Sequence, residues 1–196
     1  QLTTGNDYTV VFWAAAPNAP YHFDPASKTV TVDYAGAKSN DEKRDAFFGS
    51  QTFTVTGAQT QTIELRRPFA QLNIGTSDYE AAKNANYIPT QSYVKVTNIY
   101  STLDLVEGNV STEVAAEFAL ADIKKDETFP VASNEYLAMN YLLVAADKTV
   151  VDIDFTYTDG SNAKTRTVGS VPVQRNYRTN IYGSILTSVV GFDVII

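Results

Sequence analysis

Residues 151–158 read Val-Asp-Ile-Asp-Phe-Thr-Tyr-Thr, and this stretch decides the fold class. Apolar or aromatic residues occupy its odd positions and polar residues its even ones, which is the two-residue period of a half-buried strand. Asp159-Gly160 follows, and both residue types tolerate the backbone of a tight turn. Lys164–Val168 then has the composition of a partner strand. We predict a β-hairpin with one face in water.

Similar segments, rich in Val, Thr, Tyr, Phe and Ile, recur about every 8 to 15 residues between turn residues, which is typical of a β-sandwich. Helical patterns are short: Ser77 and Glu80 have capping-box spacing over 77–84, and residues 40–45 favour a single turn. We therefore predict an all-β fold. The other predicted strands are Val10–Ala14, Thr29–Asp33, Thr52–Val55, Thr62–Leu65, Phe69–Ile74, Tyr93–Val96, Val114–Phe118, Leu137–Val144, Val171–Gln174, Thr179–Leu186 and Phe192–Ile196.

Composition excludes several functional classes. The formal net charge of −7 disfavours binding to nucleic-acid phosphates. No segment approaches the roughly 18 consecutive apolar residues of a membrane-spanning helix. The absence of Cys excludes disulfides, thiolate metal sites and Cys nucleophiles in this sequence.

The chain length of 196 residues allows one large β domain or two smaller ones. The domain boundary is predicted at Arg66-Arg67-Pro68, because Pro removes a ladder donor and biases the preceding residue towards extended geometry. This gives an N-terminal domain over 1–66 and a C-terminal domain over 67–196. The first contains about four predicted strands, fewer than a complete sandwich needs. Because the chain also opens at Gln1, we expect it to be a trimmed fragment lacking upstream strands.

No motif for catalysis or for a cofactor is recognisable. The single His, His22, precedes Asp24 in a Pro-flanked aromatic segment, and the favoured interpretation is a packed loop. Asp152 and Asp154 share a strand face but lack the Gly-centred loop of a calcium site, which favours a solvated surface. Nucleophile elbows and phosphate loops are absent from the sequence. We predict a non-enzymatic protein without metal or cofactor; a hydrolase using an unidentified pair of acids stays a remote alternative.

Residues 171–183, Val-Pro-Val-Gln-Arg-Asn-Tyr-Arg-Thr-Asn-Ile-Tyr-Gly, carry clustered basic and aromatic side chains. The favoured interpretation is structural: Asn176 accepts turn geometry, Tyr177 keeps its hydroxyl in water, and Arg175 and Arg178 lie along apolar surface with their charged ends in solvent. An anion or glycan site at this turn is the alternative. The twelve tyrosines permit a sugar-stacking surface, but core packing and cross-strand pairs are favoured.

Several of these segments together resemble the fimbrillin-like (type V pilus subunit-like) surface lipoproteins of Bacteroidales bacteria. The resemblance covers nearly the whole chain and is specific for the broad family rather than for one member. Its residues are Tyr8–Ala14, Lys28–Tyr34, Asp41–Phe47, Glu64–Gly75 and Val171–Gly183.

The resemblance implies two transthyretin-like antiparallel β-sandwich domains in a protein exported to the cell surface, with a lipid anchor outside the given chain. In the pilus-forming members an Arg-specific protease removes an N-terminal strand, and the groove accepts a strand from the next subunit. The implied function is a fimbrial subunit in adhesion, with other pilus subunits and host proteins or glycans as partners. Gly191–Ile196 is either the closing strand or part of a donor.

The alternative function is a monomeric, lipid-anchored module that binds a glycan through loops and aromatic residues such as Trp13. The sequence identifies no individual binding residue, adhesion ligand or processing site.

Overall fold

The computed structural model describes residues 2–123, 127–187 and 192–196. The fold is all-β, with one short α-helix, α1, over Tyr79–Asn84 and a 3-10 turn over Glu42–Arg44. The strands are β1 (Asp7–Ala15), β2 (Tyr21–Asp24), β3 (Thr29–Val32), β4 (Ala46–Thr54), β5 (Phe69–Thr76), β6 (Gln91–Asp104), β7 (Val110–Asp122), β8 (Glu135–Leu143), β9 (Thr149–Thr158), β10 (Ala163–Val173), β11 (Arg178–Gly183) and β12 (Phe192–Ile195).

These strands form a two-stranded sheet, β1-β4, a four-stranded sheet, β12-β11-β5-β8, and a six-stranded sheet, β10-β9-β6-β3-β2, in which β7 also pairs with β6. β5 and β11 run parallel, and the other strand pairs are antiparallel. β6 is long enough to pair with β9 through residues 91–97 and with β3 through residues 102–104. This one strand therefore joins two parts of the six-stranded sheet.

The predicted hairpin is confirmed as β9 and β10, with Thr158 opposite Ala163. Val151, Ile153, Phe155 and Tyr157 are buried, as the period of two predicts. In the turn, the Asp159 carboxylate accepts hydrogen bonds from the N–H groups of residues 161 and 162, at 2.8 and 2.7 Å, and Gly160 has a φ of +97°. These contacts fix the turn that the Asp-Gly pair indicates.

The first hydrophobic core lies between the four-stranded and six-stranded sheets. Alternate residues of β5, Leu72 and Ile74, face it from one side, and Val94 and Phe155 face it from the other. Both sheets contribute side chains that are almost completely buried, so the arrangement is that of a sandwich. β11 adds Ile181 to the same core.

A second core covers the opposite face of the four-stranded sheet. Met139 and Leu143 of β8 meet Val30 of β3 and Leu103 of β6 there, and Trp13 of β1 packs at the margin. β8 is therefore buried on both faces, which explains its nearly continuous run of apolar residues. This core contains residues that precede residue 66 in the sequence and residues that follow it, so the two predicted domains share it. The domain boundary itself stays a prediction.

One predicted strand is wrong: residues 62–65 form no strand, and only Arg66 makes an isolated bridge to Phe48. The final strand pairs with β11 from Asn180 opposite Ile195 to Gly183 opposite Phe192, so within this chain it closes the four-stranded sheet. Gly191, which the sequence prediction grouped with it, lies outside the described residues.

Candidate functional site

Two basic segments far apart in sequence meet at one cleft. Arg66 and Arg67, between β4 and β5, lie beside the turn of residues 174–177 that joins β10 to β11. The cleft has a volume of about 350 Å³. Its lining includes Phe48, Arg66, Arg67, Gln174, Arg175 and Tyr177.

Asn176 positions the turn against the start of β5. Its φ of +66° confirms the turn geometry expected of Asn. The Asn176 N–H donates to the Phe69 carbonyl at 2.8 Å, and the Asn176 side-chain oxygen accepts from the Arg67 N–H at 3.2 Å. The Tyr177 carbonyl accepts from the Gln71 N–H at 3.0 Å. These bonds hold the turn against Arg67 and the first residues of β5.

Arg175 departs from the predicted orientation, because its charged end is held by the protein. Nε and Nη2 donate to the Val144 carbonyl at 3.2 and 3.0 Å, and Nη1 donates to the Gly108 carbonyl at 2.7 Å. The guanidinium carbon lies 5.6 Å from the centre of the Phe48 ring. Burial lowers the pKa of Arg175, since desolvation penalises the charged form. Arg178 is exposed and lies outside the cleft lining.

Arg67 is already neutralised by an acid. Its Nε donates to both oxygens of Asp45, at 2.8 and 3.1 Å, and Nη2 donates to one of them at 2.9 Å. This hydrogen-bonded pairing raises the pKa of Arg67. Its guanidinium carbon also lies 4.7 Å from the centre of the Phe47 ring. The Arg67 side chain is therefore held in place at the edge of the cleft.

Arg66 is held much more loosely. Its Nη2 lies 2.9 Å from a Glu64 oxygen, but the two side chains are 65% and 74% exposed. Ion pairs as exposed as this contribute about 0–1 kcal/mol, because water screens them and both side chains lose freedom. Arg66 can consequently leave Glu64 for another anion at little cost.

Among the described residues no acidic side chain lines the cleft. Within this described part of the chain, the Arg175 guanidinium contacts carbonyl oxygens and an aromatic ring, none of which carries a formal charge. Neither the Gln174 amide nor the Tyr177 hydroxyl has a hydrogen-bond partner within the described ranges. The cleft therefore presents one uncompensated positive charge beside free polar groups.

The predicted loop around His22 is wrong, because this residue lies exposed in β2, opposite Thr31. The flanking prolines bound a strand instead of a loop. The Asp24 carboxylate bonds locally, accepting from the Ser27 hydroxyl at 2.7 Å and the Ala26 N–H at 2.9 Å, and these bonds lower its pKa. Within the described residues the hydrogen bonds of the Asp24 carboxylate thus go to residues 26 and 27, and none goes to His22.

The acidic face of β9 is solvated, as predicted. Asp154 accepts from the Thr167 hydroxyl at 2.7 Å and Asp152 from the Ser170 N–H at 2.8 Å.

Trp13 packs edge-on against Tyr21, with ring centres 5.1 Å apart. The prediction that tyrosines pack in the core is confirmed for four that are buried, Tyr87, Tyr136, Tyr141 and Tyr157.

The described part of the chain contains no group of three or more His, Cys, Asp or Glu residues placed to hold a metal ion. Nor does any helix in it have the length and apolar character to cross a membrane.

Comparison with known proteins places the chain in a family. The model of a family of unknown function, DUF6562, matches residues 1–196. The chain belongs to this family. None of the curated proteins matches it.

Solved structures from Bacteroides share the fold of this DUF6562 member. A proposed polysaccharide-binding protein of Bacteroides thetaiotaomicron superposes with a TM-score of 0.61 at 14% identity, over 99% of this chain and 76% of that one. A proposed adhesin of the same species gives a TM-score of 0.57 at 7% identity, over 98% and 76%. A proposed cell adhesion protein of Bacteroides uniformis gives 0.54 at 14% identity, over 97% and 71%.

The sequence pattern indicates only part of this cleft. The pattern of basic and aromatic residues identified Arg175, Asn176 and Tyr177, whereas Arg66 and Arg67 were assigned to a domain boundary. The sequence did not indicate Phe48, which lines the cleft, or the carbonyls of Gly108 and Val144, which hold the Arg175 guanidinium. These groups meet Arg175 only through tertiary packing, and a backbone carbonyl leaves no signal in a sequence.

Proposed function

We propose that the protein is a non-enzymatic, cell-surface adhesion subunit of the fimbrillin type that assembles by β-strand donation between copies. The related folds support the adhesion role, since they are described as a proposed adhesin, a proposed cell adhesion protein and proposed polysaccharide-binding proteins. We also propose two transthyretin-like domains divided near residue 66, and surface attachment by a lipid anchor outside the given chain.

The observation that carries strand donation is the outer edge of β1. This strand of nine residues pairs with β4 in a sheet of only two strands, so its other edge has no strand partner among the described residues. A two-stranded sheet is marginally stable alone, and an open edge offers a row of free backbone donors and acceptors. A strand from another copy would extend the ladder by β-augmentation.

The proposed donor is the C-terminal segment containing β12. This strand has only four residues, and among the described residues it pairs with β11 alone. Val194 packs against the first core, whereas Ile195 and Ile196 are 48% and 38% exposed. Donation would exchange the four register pairs with β11 for pairing along part of the nine-residue edge of β1, and would cover exposed apolar surface.

Cysteine cross-linking tests this arrangement, because the given chain contains no Cys of its own. Phe12→Cys on β1 and Ile195→Cys on β12 both replace exposed apolar residues. We expect a mixture of the two variants to form disulfide-linked heterodimers, and the double variant to form a ladder on non-reducing gels. Glu80→Cys, on the exposed side of α1, serves as the matched partner for Ile195→Cys and should give no heterodimer.

Light scattering of the unmodified protein, before and after limited Arg-specific proteolysis, supplies the second measurement. Multimers under either condition, together with the specific cross-link, support strand donation. A monomer under both conditions, with equal cross-linking to residues 12 and 80, would reject it.

A further inference from the structure

We propose that the cleft containing Arg66, Arg175 and Tyr177 binds the carboxylate of an acidic sugar residue. This site is distinct from the β1 edge and does not depend on strand donation. Its ligand class follows from the charge, the free donors and the size of the cleft.

Arg175 supplies the charge. A guanidinium has five N–H donors. In Arg175, one N–H each of Nε, Nη1 and Nη2 donates to a backbone carbonyl, so two N–H groups are left for a ligand. Because the fold has already removed the side chain partly from water, a carboxylate meets a cation with a reduced desolvation cost. Charge-assisted hydrogen bonds of this kind are about twice as strong as neutral ones.

Arg66 supplies a second, movable cation. Its pairing with Glu64 is exposed and weak, so a ligand carboxylate competes with Glu64 for the same guanidinium. Glu64 is thus an internal competitor of the ligand. This arrangement makes a specific prediction, because removing the Glu64 charge should strengthen binding.

Tyr177 and Gln174 provide the groups that recognise a sugar ring. Tyr177 is 52% exposed at the cleft, where its ring can pack against the apolar face of a pyranose. The Gln174 amide lines the cleft without a hydrogen-bond partner in the described part of the chain, and it can bond to hydroxyl groups. An anion alone would use the arginines and leave both of these residues unused.

Size and overall charge restrict the ligand further. The volume of about 350 Å³ is near the lower end of ligand pockets, which span about 300–1,000 Å³, and fits one or two sugar residues. The net charge of −7 repels a densely sulfated polyanion at longer range. A single carboxylate, as in a uronic acid, suffers this repulsion least.

The test uses the complete chain with D-glucuronate and D-galacturonate as probes, and D-glucose, D-galactose and acetate as comparison compounds. Saturation-transfer NMR and calorimetry should detect binding of at least one uronate. The matching neutral sugar lacks the carboxylate and acetate lacks the sugar ring, so the affinity of each should be about tenfold lower or undetectable. Equal binding of acetate and the uronates would mean an anion site only, and would overturn the proposal. Absence of uronate binding would overturn it as well.

Four variants locate the site. Arg175→Lys keeps the charge but loses the guanidinium fork, and should weaken uronate binding about tenfold. Tyr177→Ala removes an exposed ring and should weaken the uronate but leave acetate unchanged. Glu64→Gln should tighten the uronate severalfold. Arg178→Gln, an exposed arginine outside the cleft, is the charge control and should change nothing.

Arg175 also ties two carbonyls together, so its variant requires a check of folding by circular dichroism. Tyr177→Ala and Glu64→Gln keep the proposal testable if Arg175→Lys unfolds. Uronate binding that is unchanged in both of them would reject this cleft as the site.

Discussion

Asp78 connects two regions of the chain that are more than 100 residues apart. Its carboxylate accepts hydrogen bonds from the Leu186 N–H at 3.2 Å and from the Thr187 N–H and hydroxyl, both at 2.7 Å. The Thr76 hydroxyl donates to it as well. The side chain is only 8% exposed. One buried carboxylate therefore fastens the start of α1 to the residues that follow β11.

We expect Asp78→Asn to lower the free energy of unfolding by about 2–4 kcal/mol at pH 7, because hydrogen bonds to a charged group contribute about 1.5–3 kcal/mol each and the amide presents donors to donors. Urea unfolding measures the difference. Asp147→Asn, at an exposed position, is the control and should stay within about 0.5 kcal/mol of the unmodified protein.

Acid should reduce the effect of this substitution. Burial is the largest single influence and raises the pKa of Asp78, but the hydrogen bonds together outweigh it and the net pKa is lowered. The stabilisation by the carboxylate is therefore complete above the unfolded-state pKa of about 3.9 and is lost as the pH falls through the folded-state value. The gap between the two proteins should be smaller at pH 3 than at pH 7; a constant gap would contradict this account.

The local sequence pattern predicts this helix but not the contacts that anchor it. Ser77 and Glu80 have the spacing of a capping box, whereas the helix begins after Asp78, without a side-chain cap bond. The carboxylate bonds instead to residues 186 and 187, and a partner so distant leaves no local pattern. The same reason explains why Arg66 and Arg175 were identified separately, while the cleft that they share was not.

At the level of the strand, β6 shows where a period of two fails. Val94 and Val96 are buried at even positions, but Ile99 and Leu103 are buried at odd ones. The register shifts between Val96 and Ile99, and Asn98 has a φ of +62°. This β-bulge exchanges the two faces of the strand. Simple alternation therefore predicted only Tyr93–Val96 of a strand of 14 residues.

Strands without such an interruption were easier to predict. β9 keeps strict alternation, and β8 is a nearly continuous apolar run, so each was predicted close to its observed bounds. β2 was missed because Pro20 and Pro25 enclose only four strand residues. Residues 62–65 alternate like a strand but are largely exposed. They pass beside Gly49 of β4 without forming a ladder with it, and composition alone does not indicate this.

Substitutions at Asn98 test the bulge. We expect Asn98→Val to lower the free energy of unfolding by about 1–2 kcal/mol, because a β-branched residue resists positive φ, and Asn98→Gly to be nearly neutral. Both variants remove the weak 3.5 Å contact from Asn98 to Asp152. The difference between their unfolding free energies therefore reports mainly on the cost of the positive φ. Equal unfolding free energies for the two variants would show that the positive φ is unimportant.

The molecule as a whole has the four-stranded sheet at its centre. One face of that sheet packs on β6 and β9 of the six-stranded sheet, and the other packs on side chains from β1 and β4 and from β3 and the end of β6. The segment before residue 66 therefore lies against the remainder over a shared core. Trp13, the single Trp, reports on this segment, since it packs beside the second core.

We expect the chain to unfold in one transition, with Trp13 fluorescence and far-ultraviolet circular dichroism giving the same urea midpoint. Leu103 is fully buried in the second core and Leu142 in the first, so Leu103→Ala and Leu142→Ala should each cost about 2–5 kcal/mol. Each should shift both probes together, because the central sheet belongs to both cores. A Leu103→Ala protein whose fluorescence transition moves while the circular dichroism transition stays would instead indicate that the N-terminal segment unfolds independently.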